Sequence, residues 1–139
     1  MDFLTYQKKA EQTIAYPSIL VNVASRLREL GKTELAEMIT AAIQDVRGLN
    51  GNLGYVTMGL AGEAGEISNK VKKIFRDNGG RVSEEMKQSL GYELGDVLWY
   101  VAATARELGL DMNDIAEANI DKLFSRKERG VLQGDGDQR

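Results

Sequence analysis

Two stretches of this chain decide its fold: Leu60-Ala61-Gly62-Glu63-Ala64-Gly65-Glu66 and Tyr92-Glu93-Leu94-Gly95-Asp96-Val97-Leu98-Trp99-Tyr100, with 26 residues between Glu66 and Glu93. In each, two acids stand three apart, which on a helix places them on nearly one face. Both pairs lie beside apolar positions recurring at helical spacing. Val56, Leu60, Ile67, Val71 and Ile74 mark the first stripe, and Leu90, Leu94, Val97, Leu98 and Val101 the second. The first pattern predicts a helix over about 53–77, stopped by Asn78-Gly79-Gly80. Ser83 is placed to cap the second helix, with Glu84 and Glu85 in a first turn where negative charge suits the helix dipole. That helix runs on to Gly109.

The same periodicity extends outward in both directions. Phe3, Leu4, Ala10 and Ile14 predict a helix over about 2–15, ending at Tyr16-Pro17. Ser18 is read as the cap of another, carrying Ile19, Leu20, Val23 and Leu27 and stopped by Gly31. Thr33 opens a third with Leu35, Ala36, Ile39 and Ile43 on one face, and Gly48-Leu49-Asn50-Gly51-Asn52 reads as a loop. Asp111 caps a last helix over about 112–128, and the tail over 129–139 is loop-like. No alternating strand pattern, repeat or interdomain linker competes. The expectation is one all-α domain over 1–139, a helical bundle with its core motifs at 53–128.

Composition narrows the chemistry. The chain has 139 residues, 42% hydrophobic and 28% charged, a globular balance with a single proline, Pro17. A net charge of −3 lacks the basic footprint of a nucleic-acid binder. No apolar run reaches the roughly 20 residues that span a bilayer, and the N-terminus has no signal-peptide pattern, so a cytoplasmic location without membrane association is expected. With no cysteine, there are no disulfides and no thiolate chemistry; with no histidine, there is no imidazole base and no Glu-x-x-His di-iron site.

Carboxylates set beside an apolar stripe are costly unless paired, protonated or bound to metal. Glu63, Glu66, Glu93 and Asp96 therefore describe a cage of oxygen ligands, suited to Mg²⁺ or Mn²⁺ rather than to zinc or copper. An acidic pair on a helix is by itself most often a solvated surface, which is how Glu37, Glu84, Glu85 and Glu117 read. Gly59, Gly62, Gly65, Gly91 and Gly95 add a second signal. A glycine inside a helix costs about 1 kcal/mol relative to alanine, so something is expected to approach these backbones closely, either a packed helix or a metal and its ligand.

These residues carry a resemblance. The two motifs, in this order and spacing, strongly resemble the MazG-like group of all-α NTP pyrophosphatases, whose superfamily includes dimeric dUTPases and phosphoribosyl-ATP pyrophosphatases. The family's Glu-x-x-Glu and Glu-x-x-Asp are matched by Glu63/Glu66 and Glu93/Asp96, and its Asn-x-x-Lys by Asn119 and Lys122. Arg129-Gly130 with Gly134-Asp135-Gly136-Asp137-Gln138-Arg139 is similar to the tail of small members. The match is close over 53–139 and looser over 2–17. Gly62 stands where many members carry a further acid, and the helical segment at about 18–50 is longer than small members have there. That segment is a candidate cover for a base pocket or a subunit interface.

The resemblance implies a Mg²⁺-dependent nucleoside triphosphate pyrophosphohydrolase, cleaving a (d)NTP to (d)NMP and pyrophosphate. Glu63, Glu66, Glu93 and Asp96 would hold the metal, with Mn²⁺ as a substitute, and Glu63 or Glu66 would take a proton from water. Candidate phosphate contacts are Lys122 and Asn119 by motif position, and Lys70, Lys73 and Arg126 by helical spacing. Trp99 and Tyr100 are core residues by their spacing, with base stacking as the functional alternative. A homodimer or homotetramer is implied. The rival readings are a narrower superfamily enzyme, such as a dUTPase-like, dCTPase-like or phosphoribosyl-ATP enzyme, and a non-catalytic nucleotide-binding helical oligomer.

Overall fold

A computed structural model describes residues 1–16, 19–45 and 52–133. It is all-helical: α1 (Phe3–Glu11), α2 (Ile19–Glu29), α3 (Thr33–Asp45), α4 (Leu53–Asn78), α5 (Glu84–Glu107) and α6 (Met112–Glu128), with no strand among the described residues. Ser18 as a cap, the loop over 48–51 and the tail beyond 133 lie outside the described residues.

The helix ends follow from local chemistry. Asp2, Ser83 and Asp111 are extended N-caps whose side chains accept from the N–H groups of Thr5, Met86 and Asn113. α4 ends at Gly79 (φ 59°), and the Gly80 N–H closes onto the Ile74 carbonyl at 3.1 Å, satisfying an orphan acceptor of the last turn. The first helix stops earlier than its apolar spacing predicts. Beyond Glu11 the chain turns at Gln12, and the Thr13 hydroxyl donates to the Ala10 carbonyl (2.7 Å) while accepting from Trp99 Nε1 (2.7 Å).

α4 and α5 form an antiparallel hairpin through the Gly79–Ser83 connection and make the most extensive helix pair. α1 packs on the second half of α5 and on α6, where Ala10, Ala102, Ala105 and Met112 form a small-residue core flanked by Tyr6, Leu98, Trp99 and Val101. Gln7 fixes that junction, donating to the Leu110 carbonyl (2.8 Å) and accepting from the Met112 N–H (3.1 Å). α2 and α3 pack chiefly on each other, burying Ala24 and Ala36.

The apolar stripe of α4 faces inward as its spacing predicts, with Val56 and Ile74 buried. Five predicted stripe positions differ: Phe3, Ile19, Val23, Leu35 and Leu94 are exposed. The cause on α2 is that contact with α3 runs through alanines, leaving the larger side chains outside it. Leu94 lies on the first half of α5, before the core that α1 covers.

Candidate metal centre

The hairpin brings the two acidic motifs face to face. Glu63 on α4 and Glu93 and Asp96 on α5 each offer a carboxylate oxygen, all within 4.8 Å of one another. Glu66, one turn beyond Glu63, is exposed and outside this group, although its charge still acts on Glu63. Glu66 lies one turn farther along α4 than Glu63, and only Glu63 of that pair stands opposite the two acids of α5.

Glu63 carries the electrostatic cost of the arrangement. Its proton affinity is raised first by partial burial, then by the negative charges of Asp96 and Glu93 and a hydrogen bond with Glu93, with Glu66 contributing least. Three oxygen donors with no nitrogen or sulfur competitor, and one carboxyl already pushed toward protonation by its neighbours, fit a hard divalent cation.

Lys70 is the cation that the chain itself supplies. Its Nζ lies 2.6 Å from Glu93 Oε1, 2.6 Å from Ser89 Oγ and 3.2 Å from the Ser89 carbonyl. An ammonium has three donors, so all are engaged inside the hairpin. Lys73, one turn on, is exposed and with Lys70, Ile74, Met86, Ser89 and Leu90 lines an apolar-floored cavity of about 150 Å³. The α6 candidates are not gathered with the acids. Asn119 and Lys122 are exposed and make no side-chain hydrogen bond or ion pair among the described residues, whereas Arg126 is buried at 5% exposure.

On the other side of the acids stands an aromatic wall. The Tyr100 ring lies over Gly59, where an added Cβ would overlap it. Its hydroxyl is shifted upward by burial, then by its neighbour Tyr55 and by the charges of Glu63 and Asp96. Trp99 meets Tyr100 edge-on at 4.9 Å, and Tyr16 packs against Tyr55 at 5.0 Å and Trp99 at 6.3 Å. Tyr6 of α1 also feels Asp96, which adds to burial in raising its hydroxyl. Among the described residues, Gly59 is the only one of the five glycines beside the acids that is closely approached. An added Cβ at Gly62, Gly65, Gly91 or Gly95 meets nothing within 4 Å.

Sequence spacing alone did not identify Tyr16, Tyr55 or Glu107. Glu107 is fully buried at the end of α5, accepting from the Tyr16 hydroxyl (3.1 Å), Arg106 Nη1 (3.2 Å) and the Asn52 N–H (3.3 Å). The available signal was an acid at a helix C-terminus, where the dipole disfavours it.

The signature of the MazG nucleotide pyrophosphohydrolase domain matches residues 53–131, which hold both acidic motifs and α6. The chain is similar to the Gene 37 protein of Mycobacterium phage L5, 56% identical over 87 residues that cover 63% of this chain and 76% of that protein. No solved structure matches.

Proposed function

As this chain belongs to the MazG nucleotide pyrophosphohydrolase family, we propose that it hydrolyses a nucleoside triphosphate, ribo or deoxy, to the monophosphate and pyrophosphate with Mg²⁺. The observation that carries this reading is the convergence of Glu63, Glu93 and Asp96 from two helices. These three would hold the metal, with Mn²⁺ able to replace it, and Glu66 is the proposed fourth ligand from the adjacent turn. When bound, the metal supplies charge neutralisation of the triphosphate and orientation of a water molecule.

The chain's own residues do the rest. Water adds to a phosphorus of the α–β anhydride, the bond from that phosphorus to the bridging oxygen breaks, and the water's proton passes to a carboxylate. Glu63 or Glu66 is proposed for that last role, both standing on the α4 side of the cluster. Lys70 keeps Glu93 in place, donating to its Oε1 while Ser89 takes the other two donors. The phosphate contacts are assigned to Lys73, Asn119 and Lys122. Arg126, being buried, is given a packing role at the end of α6.

The chain is read as one domain, working in the cytoplasm. No helix among the described residues is long and apolar enough to cross a membrane. A homodimer or homotetramer is proposed from the large side chains exposed on one chain, among them Met58, Phe75, Tyr92, Leu94 and Phe124.

A panel of NTPs and dNTPs, assayed for pyrophosphate with Mg²⁺ and with EDTA, tests the reading. Glu63→Gln and Asp96→Asn are each expected to lower kcat at least about 100-fold. Unchanged pyrophosphate release in both variants would leave a binding protein rather than an enzyme.

A further inference from the structure

Glu107 has no place in the chemistry above, yet it is a carboxylic side chain with no exposed surface. It is fully buried, it is charged, and it sits at the C-terminal end of its own helix, where the dipole opposes it. Three donors from three segments hold it: the Tyr16 hydroxyl after α1, the Asn52 N–H at the start of α4, and its neighbour Arg106. Each donor is tied onward. Arg106 Nε donates to Glu11 Oε1 of α1 at 2.8 Å, and Asn52, itself buried, accepts from the Ile19 N–H at 3.1 Å through Oδ1. One carboxylate thus fixes where α4 begins relative to the end of α5 and the exit of α1.

From that point a continuous series of ring contacts leads to the acids. Tyr16 packs on Tyr55 and edge-on to Trp99, Trp99 meets Tyr100, and Tyr100 lies on Gly59 within the electrostatic reach of Glu63 and Asp96. A buried charge-assisted network with every acceptor engaged specifies one arrangement more sharply than apolar packing alone. The network thus ties together the ends of α4 and α5 nearest Gly59, Glu63, Tyr100 and Asp96.

We infer that Glu107 is a positioning residue for the nucleotide site: through Tyr16, Tyr55 and Trp99 it holds the aromatic wall and the acids in the geometry that binds a metal–nucleotide. It touches neither metal nor nucleotide. The inference rests on the pyrophosphohydrolase reading for the identity of the ligand.

The test uses the full chain with Glu107→Gln and Tyr16→Phe. Trp99 is the only tryptophan, so its near-ultraviolet dichroism reports the wall directly. Affinity is read with Mg²⁺ and an NTP analogue whose α–β bridge is an imido group, alongside KM and kcat for the parent nucleotide. Glu107→Gln is expected to weaken the Trp99 signal and raise the analogue dissociation constant and KM about 10-fold, more than it lowers kcat. Tyr16→Phe, which deletes one hydrogen bond and keeps the ring, is expected to give about a 3-fold change in the same direction.

Folded variants with unchanged Trp99 dichroism and unchanged affinity would overturn the inference, as would lowered thermal stability with no change in KM. If Glu107→Gln does not fold, Tyr16→Phe decides by the same readouts. Wild-type protein that binds the analogue without releasing pyrophosphate removes the enzymatic reading alone, and the dissociation constants still judge Glu107. Wild-type protein that does not bind the analogue removes both.

Discussion

Lys70 Nζ and Glu93 Oε1 lie 2.6 Å apart across the α4–α5 interface, and Ser89 takes the other two donors of the ammonium. On the proposed function, a lysine held this way orients a carboxylate of the metal site rather than reaching for a phosphate. Lys70→Met is therefore expected to weaken Mn²⁺ binding measured without nucleotide, and to lower kcat, each by about 10-fold. A variant in which only KM for the nucleotide rises would return Lys70 to the phosphate-binding role.

The glycines separate into two classes by substitution. Gly59→Ala places a methyl group in the Tyr100 ring and is expected to lower both stability and nucleotide affinity, despite alanine's better helix propensity. Gly62→Ala meets no atom within 4 Å, so in a single chain it should gain up to about 1 kcal/mol. Paired urea titrations decide this. If the assembled protein loses stability or mass with Gly62→Ala, a second copy packs on that face.

Alkaline stability should carry the mark of Tyr16. Burial and then the Glu107 charge raise its pKa from an ordinary 10.0 to about 12. A raised folded-state pKa contributes stability that is fully present below pH 10 and is lost as pH rises through 12. Wild-type urea midpoints are expected to fall across that window more steeply than those of Tyr16→Phe. Parallel curves would show that Tyr16 does not sense Glu107.

If the acid cluster holds a divalent metal as proposed, that metal should stabilise the fold, because the unfolded chain lacks the cluster. At 100 times its dissociation constant Mn²⁺ is expected to add about 2.7 kcal/mol, reversed by EDTA and abolished in Glu93→Gln. Equal melting temperatures for the wild type with and without metal would argue against the cluster as a metal centre.

Association in solution is checked by light scattering. A mass that is a multiple of 15.3 kDa is expected. Phe124 sits with Ile120, Leu123 and Leu132 around an almost wholly apolar hollow at the end of α6. Phe124→Asp should shift the mass downward. A wild type that scatters as a single chain rules out the oligomer.

Much of this was readable along the chain. The caps at Asp111 and Ser83 and the Gly79-Gly80 stop act through neighbours in sequence, and the structure places them as spacing predicts. The acid pairs were legible because helical period fixes their faces. The split between Glu63 and Glu66 was not, since it depends on where two helices cross. Glu107 was the hardest to see. Between Arg106 and Leu108 it reads as a surface acid, and its burial arises from partners 91 residues away at Tyr16 and 55 residues away at Asn52. Leu94 and Val23 erred in the other direction, as apolar residues left exposed among the described residues.

The Gly79–Ser83 connection has a kinetic consequence. Helices joined so closely meet early in folding, because little chain must be ordered to close the contact. The hairpin that forms first is thus the one that forces Glu63 against Glu93 and Asp96, with Lys70 on Glu93 to offset them. Like-charge repulsion then belongs to the folding barrier as well as to the finished site. A divalent ion or mild acid in the refolding buffer should speed the acquisition of structure, so the cation that the site is proposed to use would also act as an aid to its assembly.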